Sequence, residues 1–178
     1  MKHIFIINGS GGVGKDTFVL FVRSLFEPPF SPGVGVINFS SVDKVKEIAS
    51  LAGWDGGKTE KDRKFLSDLK MLCSEYNDLP FASMSEVVNK FNDCDAKILF
   101  LHIREPGEIE RAKNEFGAKT ILITRFGLAP ITSNVADANV ENYEYDVVIR
   151  NDGSKHAFMA KAIEFVNDLE SGELKSEY

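Results

Sequence analysis

The stretch His3-Ile4-Phe5-Ile6-Ile7-Asn8-Gly9-Ser10-Gly11-Gly12-Val13-Gly14-Lys15-Asp16-Thr17 decides how the rest of the chain is read. Its first six residues form a short, almost unbroken apolar run, the pattern of a strand buried on both faces of a parallel sheet. Beyond Lys15, the residues Phe18, Val19, Val22, Leu25 and Phe26 recur at helical spacing, and Pro28-Pro29 is expected to stop that helix. Between strand and helix, Gly9 to Lys15 has the spacing G-x-x-x-x-G-K. Glycines let such a backbone curl with its N–H groups inward. The new helix adds unpaired amides and the positive end of its dipole, and a lysine here reaches the outer phosphates of a nucleotide. The other reading is a glycine-rich turn that holds nothing. After Gly14-Lys15 the usual magnesium-binding hydroxyl residue gives way to Asp16, with Thr17 one step later. A carboxylate is a sound hard-oxygen ligand for Mg²⁺, so Asp16, Thr17 or both are the candidate metal contacts.

Working outward, residues 33–39 read as a second strand, followed by a helix capped by Ser40 or Ser41 and running to about residue 52. A charged helix is expected over 59–76 with Phe65, Leu66, Leu69 and Leu72 as its apolar stripe, and another over 83–91 with Met84, Val87, Val88 and Phe91. Strands at 97–103 and 119–124 flank a helix at 106–116 opened by Pro106. A polar stretch over 125–143 precedes a fifth strand at 145–149, a turn at Asn151-Asp152-Gly153 and a last helix over 154–169, with the tail after Ser171 expected to fray. This alternation predicts an α/β three-layer sandwich around a five-stranded parallel sheet, in one domain spanning residues 1–178.

Composition narrows the classes. A chain of 178 residues at 43% hydrophobic and 27% charged has room for a sizeable core in the balance usual for globular proteins. It has no apolar run of the roughly 20 residues that cross a bilayer, and its first residues lack the regions of a signal peptide, so a cytoplasmic protein without a membrane partner is expected. Cys73 and Cys94 are too isolated for a disulfide framework or a zinc site and are expected as buried or half-buried thiols. A net charge of −6 speaks against a nucleic-acid polymer as partner, yet leaves room for a small anion held by local cations and amides.

The order Gly14-Lys15-Asp16-Thr17, with Asp where most such loops have Ser or Thr, resembles the phage-type deoxynucleoside monophosphate kinases and animal-type phosphomevalonate kinase. Both are P-loop phosphotransferases of the nucleoside monophosphate kinase type. The similarity continues in short matches: Ser41-x-Asp43-x-Val45-Lys46, Arg104-Glu105, Arg125, and Val148-Ile149-Arg150-Asn151-Asp152-Gly153. The resemblance implies ATP and Mg²⁺ as cofactors, a small monophosphate as acceptor, acceptor-binding helices over about 40–92, and a lid-like segment over about 125–143. It also implies that Asn151 and Gly153 flank the adenine base.

Phosphoryl transfer spreads charge over positioned cations, so arginines from separate elements are the expected apparatus. Arg104 and Arg125, each just past the carboxyl end of a strand, are candidates beside Lys15; Arg104 could instead pair with Glu105 or Glu108. Arg63 lies in a mixed charge run that reads equally as a solvated helix face. Asp43 and Lys46 could contact the acceptor or simply pair at i to i+3, and His102 is either a site residue or a hydrogen-bonded histidine of the core. No general base is evident, and a phosphate acceptor needs none. The third strand has no terminal aspartate, and residues 126–149 contain no lysine or arginine. An ATP-binding regulatory or catalytically weak module is therefore the second reading.

Overall fold

The computed structural model describes residues 1–26, 35–128, 140 and 143–178. Five strands are described: β1 (His3–Asn8), β2 (Val36–Ser40), β3 (Ile98–His102), β4 (Lys119–Thr124) and β5 (Val147–Arg150). They form one parallel sheet in the order β2-β3-β1-β4-β5. The glycine loop thus leaves the central strand, with β3 and β4 on either side, registered Ile7 to His102 and Asn8 to Leu122.

The described helices are α1 (Lys15–Phe26), α2 (Asp43–Leu51), α3 (Glu60–Asn77), α4 (Leu79–Asp93), α5 (Pro106–Phe116) and α6 (Lys155–Ser171). Alternation along β1 sends Phe5 and Ile7 into a core with α1 and α6, where Phe18, Phe100, Phe158 and Phe165 are buried with them. Phe165 meets Phe5 and Phe18 edge to face, with ring centroids 5.3 and 5.4 Å apart. Ile6 and Asn8 point to the opposite face, where α5 packs on β1 and β4 with Ile109 and Ala112 buried. Helices on both faces are the three-layer arrangement expected.

The chain divides into two compact units, residues 1–38 with 94–178, and residues 39–93. In the second, α2, α3 and α4 pack on one another around Val45, Ala49, Phe81, Met84, Val88 and Phe91. The apolar stripe expected on α3 is covered only in part: Leu66 and Leu69 are half-buried, while Phe65 is 38% and Leu72 58% exposed. Helical spacing marks a face, and packing decides how much of it is buried.

Other local expectations shift for physical reasons. Neither Ser40 nor Ser41 caps α2; Val42 holds that position without a side-chain bond, and Asp43 Oδ2 instead accepts from Ser40 N at 2.9 Å. α3 has a full capping box between Thr59 and Asp62. The tail is tied down rather than frayed. Val148 N donates to Ser176 O at 2.9 Å, Arg150 N to Tyr178 O at 3.0 Å, and Tyr178 is buried with its ring 5.8 Å from Phe165. The tail therefore pairs with the free edge of β5. Cys73 is half-buried, but Cys94 is exposed. Pro28 and Pro29 lie outside the described residues, as does the lid-like segment apart from residues 125–128, 140 and 143.

Candidate functional site

The loop between β1 and α1 is shaped by glycines that admit no side chain. At Gly9, with φ 143°, a Cβ would stand 2.4 Å from Ile123 O; at Gly14, with φ 106°, it would stand 2.6 Å from Asn151 Nδ2. Lys15 opens α1, and its ammonium donates to Gly9 O and, at 3.0 Å, to Ser10 O. The cation is held at the mouth of the loop, beside the first-turn amides of α1 that no intrahelical bond uses. Val13 is buried in the core, Gly12 is exposed, and Gly11 and Thr17 are half-buried. Asp16 is exposed in the first turn, where a carboxylate also suits the helix dipole.

A parallel sheet brings all its carboxyl ends to one edge. That edge gathers the loop after β1, Arg104 two residues past β3, Arg125 directly after β4, and Asn151 directly after β5. Both arginine side chains are exposed. Asn151 is more tightly held than the turn reading suggests. Its Nδ2 donates to Val13 O at 2.8 Å and its N–H to Thr124 O at 2.8 Å, so it ties the glycine loop to β4. Next to it, Asp152 Oδ1 accepts from Phe126 N at 2.5 Å, while Gly153 is exposed. His102 Nε2 lies 2.7 Å from Asn38 Oδ1, so the histidine is hydrogen-bonded as one of the two readings expects, but it is half-buried at the end of β3 and not part of the core.

Asp43, Lys46 and Arg63 belong to the second unit. Asp43 and Lys46 pair with each other at 3.4 Å, both partly exposed. Arg63 is exposed, and its Nε donates to Lys58 O at 3.2 Å.

Two residues escape a reading of the sequence, Asn8 at this edge and Tyr145 just ahead of β5, whose hydroxyl reaches it. Asn8 is fully buried at the end of an apolar strand; its Oδ1 accepts from Gly9 N at 2.8 Å, and its Nδ2 donates to Tyr145 OH at 2.8 Å and Arg104 O at 3.4 Å. Tyr145 OH in turn donates to Val140 O at 2.9 Å. Burial pushes the Tyr145 phenol up to about 12, against the pull of the Asn8 bond, so it keeps the proton it donates. The one available signal was an amide ending an otherwise apolar run.

The donor set fits a phosphate chain: a cradle closed to Cβ atoms, helix-end amides and one ammonium. It also suits magnesium, since Asp16 and Thr17 offer hard oxygens and this ion commonly takes one or two protein ligands plus phosphate oxygens. The described residues contain no cluster of three or more His, Cys, Asp or Glu able to hold a metal by themselves.

No protein family and no curated protein matches the chain at the level of sequence. Among solved structures, TT1252 from Thermus thermophilus is similar at TM-score 0.52 and 19% identity, over 94% of this chain and 97% of that one. The tunicamycin resistance protein of Deinococcus radiodurans follows at 0.42 and 11% identity, over 100% and 86%. Thymidylate kinase from Ehrlichia chaffeensis stands at 0.34 and 11%, over 99% and 92%. The first likeness is one of fold alone, the other two are too weak to carry an argument, and the chain is an α/β protein with a glycine loop at the centre of a parallel five-stranded sheet.

Proposed function

We propose that the chain is a magnesium-ATP-dependent phosphotransferase that moves the γ-phosphoryl of ATP to a small monophosphate, a (deoxy)nucleoside monophosphate above others. The observation that carries this reading is the Gly9 to Thr17 loop, with Lys15 at its mouth, on the central strand between the strands that deliver Arg104 and Arg125. In this reading the amides of Gly11, Gly12, Val13, Gly14 and Lys15 and the Lys15 ammonium hold the donor phosphates, and Asn151 and Gly153 flank the base. Asp16 and Thr17 hold magnesium, which supplies charge neutralisation on the phosphates when bound. Arg104 and Arg125 neutralise the group in transfer, and Asp43, Lys46 and Arg63 take the acceptor.

A second reading, an ATP-binding module with little transfer, is favoured by His102 standing at the end of β3 where a carboxylate would serve the metal, and by the lack of lysine and arginine over 126–149. ATP consumption with Mg²⁺ against deoxynucleoside, ribonucleoside and mevalonate-derived monophosphates separates the two, beside a magnesium-dependent ATP titration. Turnover of one acceptor, lost in Lys15→Ala, is the expected outcome. ATP binding without turnover of any acceptor selects the module, and unchanged ATP binding and turnover in Lys15→Ala overturns both.

A further inference from the structure

We propose that Asn8 and Tyr145 are positioning residues for the transfer step, a buried amide and a half-buried phenol that hold the Gly9 end of the glycine loop and the main chain of Arg104 in one register. The inference rests on the kinase reading above and adds to it two residues that touch neither nucleotide nor acceptor. Asn8 sits at a position with no exposure, where an amide left without partners is destabilising. Both of its donors and its oxygen find partners. The oxygen takes the Gly9 N–H, and the two N–H groups go to Tyr145 OH and Arg104 O. Tyr145 passes the connection on to Val140 O.

Three pieces of chain far apart in sequence therefore meet on one carboxamide. A leucine at position 8 would fill the same strand position and hold none of them. Two of the three pieces matter directly to transfer in this reading. Gly9 begins the loop that holds the donor, and Arg104 carries a charge for the moving phosphoryl. Gly9 is itself pressed against the end of β4 and cannot shift toward it, since even a Cβ would lie 2.4 Å from Ile123 O. The Asn8 amide is what spans from that fixed point to the end of β3. A displacement of the order of 1 Å between donor and cation is enough to lower a transfer rate steeply, whereas ground-state binding is spread over many amides.

The test compares the parent chain, Tyr145→Phe, Arg104→Ala and the double variant by turnover, magnesium-ATP affinity and thermal unfolding. Tyr145→Phe keeps the ring and removes only the hydroxyl. It is expected to lower kcat about tenfold with ATP affinity within about twofold of the parent, and to add little once Arg104 is alanine. A folded Tyr145→Phe with parental kcat overturns the proposal, as does an equal loss in both backgrounds, which is the mark of general loosening. If Tyr145→Phe does not fold, Asn8→Ser, too short to reach Tyr145, replaces it under the same criteria. A parent that binds ATP and serves no acceptor overturns the kinase reading instead. The pair is then judged on magnesium ADP with aluminium fluoride, which occupies the place of the moving phosphoryl, against magnesium ADP alone. A loss in Tyr145→Phe confined to the fluoride complex supports the positioning role; equal affinities overturn it.

Discussion

At the scale of single residues, the glycine loop is set by backbone geometry that no side chain other than hydrogen fits. Gly14 illustrates the constraint most sharply. Its φ of 106° is one that side chains rarely adopt, and a methyl group there would meet Asn151 Nδ2 at 2.6 Å and the Phe158 ring at 3.2 Å. Asn151 is the side chain that braces Val13, so the collision falls on the support of the loop as well as on the loop. Gly14→Ala is expected to destabilise the fold by about 1–3 kcal/mol in denaturant titration and to weaken ATP binding in calorimetry by more than tenfold. Parental values for both would show that the loop relaxes around the added carbon. The glycine and lysine spacing was legible from the sequence because it is a local pattern. Asn8 and Tyr145 were not, because their meaning lies in a contact across 137 positions of chain.

At the scale of elements, helix ends were the least legible features. Ser40 and Ser41 both have the chemistry of a cap, yet the chain enters α2 through Val42, and the Asp43 carboxylate reaches back to Ser40 N. Thr59, in contrast, makes the cap its type suggests. Asp62 N donates to its Oγ1 at 3.3 Å, and its own N–H donates to Asp62 Oδ2 at 2.9 Å. The Thr59 side-chain bond, with the backbone bond beside it, holds the Asp62 carboxyl below its usual value. Thr59→Ala should cost about 1 kcal/mol in chemical denaturation. ATP affinity is expected to stay at the parental value, since the change removes a cap and no proposed phosphate contact. The tail is the other lesson at this scale. Residues after Ser171 carry no strong pattern, but β5 offers them an edge and Phe165 a ring to cover, so Ser176 and Tyr178 bond to its backbone.

For the molecule as a whole, pH stability can be argued from a carboxylate that ties three elements together. Asp146, just ahead of β5, accepts from Thr120 N and Thr120 Oγ1 of β4, both at 2.8 Å, and from Lys113 Nζ of α5 at 3.3 Å. Burial by itself would push this carboxyl up, but the Thr120 and Lys113 interactions together outweigh it and hold it below its ordinary 3.8. A depressed folded-state value means that the ionised form stabilises the fold. That contribution is present in full above the unfolded value and is lost as pH falls through the folded one. Unfolding measured from pH 7 down through the carboxylate range should show Asp146→Asn losing less stability on acidification than the parent. Parallel curves would mean that other carboxylates carry the acid response. The sequence by itself determined the alternation of strands and helices, the parallel sheet and the glycine loop between β1 and α1, because hydrophobic period and glycine spacing act within a few residues of one another. Only the tertiary structure decided the strand order that sets Arg104 and Arg125 beside that loop, the long-range bonds of Asn8, Tyr145 and Asn151, and the docking of the tail. Those depend on which distant groups are brought within hydrogen-bonding reach, and no local pattern records that.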